Sequence, residues 1–468
     1  MYTLHEPAQW AQMEFGMADL RDRRLTNRLV GVACGLAQCP SGTLPQAFPE
    51  WSELKGAYRF FSNPNVRYEE ILAPHWERTR QDCTEPGEYL LVEDTTDLDY
   101  SSHEACEGLG PLSADFYRGL KLHSTLAVRV DGWDLNQCPE VTVVGVAGQK
   151  CWMRSGPTRR QKKESRRQQM LRPRESDRWG ETLSLLPERP AAATWIYIAD
   201  READLYEAYE RCLEHRIDFI IRGNHARRLM DEERSLFEVV GQASVLGRLE
   251  VEVRARPGRK ARIAQVEIRA TTVTLKGVWR VGGYRPGLPV NAVEAREINA
   301  PVDEEPIHWV LLTSLPVKRF VEARRIVTRY AKRWVIEEFH KVLKSGTNVE
   351  KSQLERAPRL QALVAVLVVV AVRLLNTKML ARTHPEAAVD VEAFGPEALQ
   401  ILTARFGQPK GGWKYGSLLI AIARLGGFLA RRHDGDPGWI TIWRGWQRLM
   451  IMTDGVLSLR TKSRPAGG

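Results

Sequence analysis

The sequence is poor in the residue patterns that build disulfide frameworks and zinc sites. The seven cysteines are an odd, scattered set, and no C-x-x-C pair occurs. The ten histidines include no H-E-x-x-H motif and no two at ligand spacing on one helix. These absences argue against a disulfide-stabilised secreted fold and against a zinc site, so any metal would have to be held by carboxylates.

Long hydrophobic runs are also missing. The most lipid-like stretch, Ala362–Val372, is interrupted by Arg373 after eleven residues, which is too short to span a bilayer. The N-terminal segment MYTLHEPAQWAQ has no basic region followed by an apolar one, as a secretory signal would. We therefore predict a cytoplasmic protein that is neither secreted nor inserted in a membrane.

What the sequence does have is length and positive charge. A chain of 468 residues with 43% hydrophobic residues predicts two or three domains with real cores. Lys and Arg total 68 against 58 Asp and Glu, a net charge of +10 that favours a polyanionic partner. Two stretches are notably basic: Arg159–Arg178 is predicted to be an exposed loop or frayed helix, and Arg256–Arg262 is predicted to lie at the tip of a β insertion.

The pattern of apolar residues divides the chain into three parts. Residues 1–75 are predicted to be helical, with Leu25, Leu29, Val32 and Leu36 on one face. Residues 76–375 contain several short apolar runs and one strand–helix–strand unit, which predict an α/β domain with a mixed sheet. Within this part, alternating residues between about 225 and 312 predict a β insertion. Residues 376–468 are predicted to be helical again.

Two of the predicted strands end in aspartate, at Asp94 and Asp200. Adjacent strands can bring two such carboxylates close enough to share divalent cations. The competing interpretation is that each aspartate only forms a turn or caps a helix, which is the commoner role after a strand.

A long helix is predicted from Val321 to Gly346. Tyr330, Arg333, Glu337 and Lys344 fall within an arc of about 60° on its surface, and the apolar residues occupy the opposite face. One face would thus present a phenol, a guanidinium, a carboxylate and an ammonium. An ordinary salt-bridged outer face is the alternative.

These residues carry a family resemblance. The string Tyr330-A-K-R-W-V-I-Glu337-E-F-H-K-V-L-Lys344 resembles the Y-R-E-K signature of bacterial cut-and-paste DDE transposases of the insertion-sequence-four family. Glu93-Asp-Thr-Thr96 resembles the first-acid motif and Ala199-Asp-Arg-Glu-Ala-Asp204 the second. Gly56-Ala-Tyr-Arg-Phe60 and Asn63-Pro-Asn-Val66 resemble the N-terminal DNA-binding module.

The resemblance implies an RNase H-like catalytic core with a β-strand insertion, flanked by helical N- and C-terminal domains. It also implies a catalytic and metal-binding triad of Asp94, Asp200 and Glu337. Such a triad holds two Mg²⁺ ions about 4 Å apart, for which Mn²⁺ substitutes. The implied reactions are strand nicking by water, then hairpin formation and strand transfer by a 3′-hydroxyl.

The same resemblance implies roles in DNA binding. Tyr330 and Arg333 would hold the phosphate of a displaced base, Trp309 would stack on that base, and Lys344 would hold another phosphate. For Trp309 a place in the core is the alternative. Further phosphate contacts are predicted at Arg222 and Lys341, and at Arg59 in the N-terminal module.

Two acids neighbour the triad without belonging to it. Glu93 would point to the opposite face of the strand from Asp94, and Glu338 would lie about 100° round the helix from Glu337.

The resulting hypothesis is a nucleoid-associated transposase that acts as a homodimer. Residues 1–75 would bind double-stranded DNA with terminal inverted repeats, residues 76–375 would cut it and join it to target DNA, and residues 376–468 would dimerise in a synaptic complex. A non-catalytic DNA-binding regulator derived from a transposase and an RNase H-like nuclease without strand transfer are the alternatives.

Overall fold

The structure of the chain is a computed structural model. It describes residues 5–462 except 113–115, 135–137, 156–164, 166–174, 225–226, 231–232, 254–260, 281–282 and 432–433. Most of the two basic stretches therefore lies outside the described residues. The described part is a mixed α/β structure, with helices at both ends and one large sheet between them.

The N-terminal part is helical, as predicted. Its helices are α1 (Pro7–Phe15), α2 (Arg23–Gln38), α3 (Leu44–Ala47), α4 (Trp51–Phe61) and α5 (Tyr68–Asp82). Leu29, Val32 and Leu36 of α2 are buried, and Leu25 packs against the same core. This apolar face explains why α2 docks on its neighbours while its arginines remain outside.

The first strands of the central sheet differ in length. They are β1 (Gly87–Asp99), β2 (Gly110–Pro111), β3 (Arg118–Trp133), β4 (Pro139–Trp152), β5 (Ala193–Ala199) and β6 (Asp218–Arg222), with α6 (Tyr206–Glu214) between the last two. Strand β1 pairs antiparallel with β3 and parallel with β5, and β5 pairs parallel with β6. The predicted mixed sheet is confirmed, and β1 and β5 are neighbours in it.

The predicted β insertion joins the same sheet. It contains α7 (Leu236–Gly241) and the strands β7 (Val245–Val253), β8 (Arg262–Leu275), β9 (Val278–Arg280), β10 (Gly283–Arg285), β11 (Leu288–Glu297) and β12 (His308–Thr313). Strand β12 pairs antiparallel with β6, and the order continues through β11 and β8 to β7. The insertion thus extends the sheet beyond β6, and β9 and β10 form a separate hairpin.

The helices after the insertion cover the sheet and form the C-terminal part. They are α8 (Phe320–Ala331), α9 (Trp334–Lys341), α10 (Ala357–Thr383), α11 (Val391–Phe394), α12 (Pro396–Phe406), α13 (Tyr415–Leu425) and α14 (Trp439–Lys462). Helices α5 and α10 cross the predicted limits at residues 75 and 375, and the domain boundaries stay predictions.

Helix α10 is longer than the eleven-residue stretch that the sequence suggested. Arg373 does not end it, because its guanidinium donates to the His5 carbonyl and lies over the rings of Trp10 and Trp446. Among the described residues, α10 is the one helix long and apolar enough to cross a membrane, but 89% of its most apolar window is buried inside the protein. This burial is typical of a core helix.

Candidate active site

Asp94 and Asp200 lie at the same edge of the sheet. Strands β1 and β5 are paired up to Val92 and Ile198, and each aspartate follows two residues later. The Thr95 backbone N–H donates to Asp94 Oδ1 at 2.9 Å, and the Glu202 N–H donates to Asp200 at 2.8 Å. The prediction that neighbouring strands bring both aspartates together is confirmed, and Asp200 also caps a short 3-10 turn. The prediction that the first strand ends at Asp94 was wrong, because β1 continues to Asp99 in its pairing with β3.

Glu337 lies on α9, not on one continuous helix. The predicted helix from Val321 to Gly346 breaks at Lys332, where the backbone N–H groups of Lys332 and Arg333 bond three residues back, to Arg329 and Tyr330. These tightened turns end α8, and after α9 the chain continues as a π-helical turn over Val342–Gly346. The prediction of a single helix was wrong, because a helical wheel assumes an unbroken series of i to i+4 bonds.

Arg333 stands between two of the three predicted triad carboxylates. Its guanidinium lies 3.4 Å from Asp94 Oδ2 and also donates to Glu337. Burial raises the pKa of Asp94 to about 6; Arg333 opposes this shift, and the charges of Asp200 and Glu337 add to it. The three carboxylates therefore lie within electrostatic reach of one another, and a cation between them is favoured.

The donor chemistry at this edge suits a divalent metal. Carboxylate oxygens are the ligands that Mg²⁺ and Mn²⁺ prefer. Within the described residues, however, no three His, Cys, Asp or Glu side chains converge closely enough to form a metal-binding group. Positive charge is supplied here by Arg333, so a metal would have to take over its contact with Asp94 or Glu337.

Tyr330 connects two further predicted residues, Trp309 and Arg222, with Arg333. Tyr330 is only 4% exposed, and the edge of its ring meets Trp309 at a centroid distance of 5.2 Å. Arg222 donates to the His308 carbonyl at 3.1 Å, and its charge lowers the pKa of Tyr330 against the dominant effect of burial. Trp309 packs against the core, as the alternative interpretation of this residue predicts. Its ring is half-buried and lies beside the site.

The remaining predicted DNA-binding residues are spread out. Lys344 lies 3.7 Å from Glu350, and Lys341 is exposed on α9. Arg59 is exposed on α4 in the N-terminal part. The structure thus brings Tyr330, Arg333, Trp309 and Arg222 together with the acids, and leaves Lys341 and Arg59 at the surface.

The two acids beside the triad point elsewhere, as predicted. Glu93 is fully buried on the opposite face of β1, where it accepts from Thr125 Oγ1, the Gly180 N–H and Tyr197. Glu338 accepts from Trp439 Nε1 at 3.0 Å. Both contacts join distant segments, and no sequence pattern around either acid indicates its partner.

Sequence reasoning gave no role to His123. Its Nδ1 lies 2.7 Å from Thr95 Oγ1, and Thr95 is the residue whose N–H holds Asp94. His123 Nε2 lies 3.4 Å from Glu93. Only the strand register, in which Thr95 faces His123, brings these groups together.

The burial of His340 predicts that the protein loses stability in acid. Burial, with the nearby charges of Lys344, His123 and Arg333, lowers the pKa of His340 from 6.5 to about 3. Between these values the unfolded chain takes up a proton that the folded chain refuses. The free energy of unfolding therefore loses about 1.4 kcal/mol per pH unit on acidification below pH 6.5 through this group.

We expect His340→Gln to remove this contribution. Below pH 6.5 the native chain should lose about 1.4 kcal/mol of unfolding free energy per pH unit relative to the variant. Guanidinium unfolding at pH 7, 6 and 5 measures it. His384→Gln, at an exposed histidine, is the control, and parallel pH profiles for all three proteins would refute the prediction.

Three family models match the chain. A transposase DNA-binding model matches residues 7–66, a transposase DDE domain model matches residues 172–373, and a transposase Tn5 dimerisation domain model matches residues 369–466. The DDE domain match includes Asp200, Arg333 and Glu337, and Asp94 precedes it.

The fold, the carboxylate edge and these matches define a DNA transposase of the DDE class. Its catalytic part has the RNase H-like fold, and it is an enzyme that cleaves DNA and transfers strands with the help of a divalent metal. The chain belongs to the Tn5-like DDE transposases, and the insertion-sequence-four family fits all three matches. It binds DNA and associates with itself.

Proposed function

We propose that this transposase excises and inserts its element by phosphoryl transfer at a site formed by Asp94, Asp200 and Glu337. The observation that carries the proposal is that the three acids lie close enough to act on one another's charges. Each of them raises the pKa of Arg333, and Asp200 and Glu337 raise the pKa of Asp94. Such a concentration of negative charge on elements far apart in sequence is typical of a metal-dependent phosphoryl-transfer site.

The three carboxylates would hold two Mg²⁺ ions, with Mn²⁺ as a substitute. When bound, such ions activate the attacking oxygen and stabilise the leaving oxygen of an in-line displacement. The protein's own part is orientation: the N–H of Thr95 fixes one oxygen of Asp94, and the N–H of Glu202 fixes one of Asp200. Water would attack first and free a 3′-hydroxyl, which would form the hairpin by attacking the opposite strand. A second water would open the hairpin, and the 3′-hydroxyl freed again would attack the target strand.

The side chains around the acids would hold the DNA strand. Arg333 and Tyr330 would bind the phosphate of a displaced base and Trp309 would stack on that base. The contact between the Trp309 and Tyr330 rings supports this, because it keeps an aromatic surface next to the guanidinium. Arg222, Lys341 and Lys344 would bind neighbouring phosphates.

The N-terminal helices would recognise the terminal inverted repeats. Helix α4 exposes Lys55, Tyr58 and Arg59 along one side. On the neighbouring α2, Arg28 lies so close to Gly56 that a Cβ there would come within 2.8 Å of Arg28 Nη1. The two helices thus form one basic surface with an aromatic residue, which suits the DNA backbone.

Self-association would take the form of a homodimer that pairs two element ends in a synaptic complex, where it also captures target DNA. An apolar groove of about 710 Å³ between α12 and α14, lined by Ile401, Met452, Val456 and Leu459 among others, supports this. Leu459 is 72% exposed, and exposed apolar surface of this kind favours a protein partner. The complex would act on the nucleoid in the cytoplasm.

We expect the double variant Met452→Asp, Leu459→Asp to weaken the dimer about 100-fold. Two carboxylates would have to be desolvated in an apolar contact, which costs several kcal/mol unless they are paired. Sedimentation velocity over a concentration series measures the dissociation constant. Arg444→Asp, at an exposed position of the same helix outside the groove, is the control. An unchanged dimer in the double variant would place the interface elsewhere.

The proposed function is tested with a DNA fragment that carries both ends of the element. The purified protein is incubated with it in Mg²⁺, in Mn²⁺ and in EDTA. Metal-dependent cleavage at the repeat boundary, followed by joining to a second DNA, supports the proposal. Specific binding without cleavage would support a regulator, and cleavage without preference for the ends would support a nuclease; either outcome would refute it.

A further inference from the structure

The dimerisation region touches the helix that carries Glu337. Helix α14 lies within the part of the chain matched by the dimerisation model, and its first residue, Trp439, donates from Nε1 to Glu338 at 3.0 Å. Glu338 directly follows Glu337 on α9. The hydrogen bond joins residues that are 101 positions apart in the sequence.

Two other side chains of the dimerisation region fix Trp439 in place. Lys378 Nζ of α10 lies 4.1 Å from the centre of its ring, and Trp443 stacks on it at 4.9 Å with an angle of 19° between the ring planes. Both tryptophans are buried. The indole N–H that Trp439 donates to Glu338 is therefore held in place by Lys378 and Trp443, which pack against the ring.

A second contact lies at the end of the π-helical turn that follows α9. Trp443 lies so close to Gly346 that a Cβ at this position would come within 2.8 Å of its Nε1. Gly346 ends the π-helical turn that begins at Val342. Helix α14 thus contacts α9 at Glu338 and the following π-helical turn at Gly346.

Helix α9 needs such support more than most helices do. It has eight residues, it begins after the break at Lys332, and it ends in the π-helical turn. Isolated helices of this length are unstable, so their position depends on tertiary contacts. A rotation of α9 would move Glu337 and Glu338 together, because they are consecutive residues.

We propose that Trp439 is a positioning residue through which the dimerisation region fixes the rotation of α9 and hence the place of Glu337. Its N–H also keeps the second carboxylate, Glu338, away from the acidic edge. The inference rests on the proposed function, in which Glu337 is catalytic. It makes the geometry of the active site dependent on the correct docking of the region through which two copies associate.

The test uses Trp439→Phe in the full chain, which keeps an aromatic ring under Lys378 and against Trp443 but loses the donor. We expect the cleavage rate constant at saturating DNA and metal to fall about tenfold, with DNA affinity and dimer dissociation constant unchanged. Trp413→Phe is the matched control, because Trp413 donates to Thr403 within the C-terminal helices. This variant should cleave DNA at the native rate.

Variants of the acceptor complete the design. Glu338→Gln keeps an acceptor for Trp439 and should cleave at close to the native rate, whereas Glu338→Ala should lose as much as Trp439→Phe, and the double variant should lose no more. Native cleavage by Trp439→Phe, or a fall that accompanies loss of the dimer, would overturn the inference. Glu337→Gln separates the two ideas: if it cleaves normally the proposed function fails, and if only Trp439→Phe does, the inference alone fails.

Discussion

Asp94→Asn, Asp200→Asn and Glu337→Gln are each expected to reduce DNA cleavage by a factor on the order of 10³ or more. Each amide keeps the size of the side chain but loses the charge that a divalent metal requires of its ligand. The metal supplies several kcal/mol of stabilisation to the transition state, and each 1.4 kcal/mol lost costs about tenfold in rate. Initial cleavage rates on end-bearing DNA at saturating Mg²⁺ measure the effect.

Binding of the DNA ends should be retained by all three variants, because the N-terminal helices are untouched. Two neighbouring acids serve as matched controls. Glu202→Gln changes an exposed residue two positions after Asp200, and Asp97→Asn changes an acid of β1 that pairs with Lys121 at 2.6 Å. A triad variant that cleaves within a few-fold of the native rate would remove that residue from the proposed site.

The sequence predicts the acidic edge well, because its causes are local. An apolar run followed by aspartate marks the end of β5, whereas β1 continues past Asp94 to Asp99. The strand–helix–strand order places β5 beside other parallel strands. Pairing of β1 with β5 then brings Asp94 and Asp200 to one edge. The sequence also predicts that Glu93 points away from Asp94, because successive side chains of a strand point to opposite faces of the sheet.

Long-range features were not predictable in the same way. The alternation between residues 225 and 312 indicates strands, but not that β12 pairs with β6 and extends the main sheet. No proline or glycine near Lys332 indicates that the helix breaks there. The contact of Trp439 with Glu338 depends on how a C-terminal helix docks, which no local pattern encodes.

Arg333→Gln is expected to have the second large effect, and on two properties at once. Without the guanidinium, Asp94 and Glu337 lose their cationic partner in a largely buried place. Removing one partner of such a cluster costs about 3 kcal/mol of stability. Cleavage should fall about 100-fold, because a charge-assisted contact to the DNA phosphate is lost as well.

The metal should then rescue stability but not cleavage. A divalent ion bound by the carboxylates restores the missing positive charge, so Mg²⁺ should raise the melting temperature of Arg333→Gln more than that of the native chain. In the native protein the ion must instead displace Arg333 from Asp94 or Glu337, which offsets part of its binding free energy. Melting curves with and without Mg²⁺ measure both responses.

Arg329→Gln is the matched control for this experiment. Arg329 lies one turn earlier and pairs with Glu88 at 2.6 Å, on β1 but six residues before Asp94. Its loss should also destabilise the protein, since the pair is mostly buried, but Mg²⁺ should not restore that stability, because Glu88 lies outside the acidic edge. Equal responses to Mg²⁺ in the two variants would show that Arg333 does not occupy the position of a metal. A larger response in Arg333→Gln would mean that the same carboxylates hold the arginine before the metal arrives, and that metal binding releases its guanidinium for the DNA phosphate.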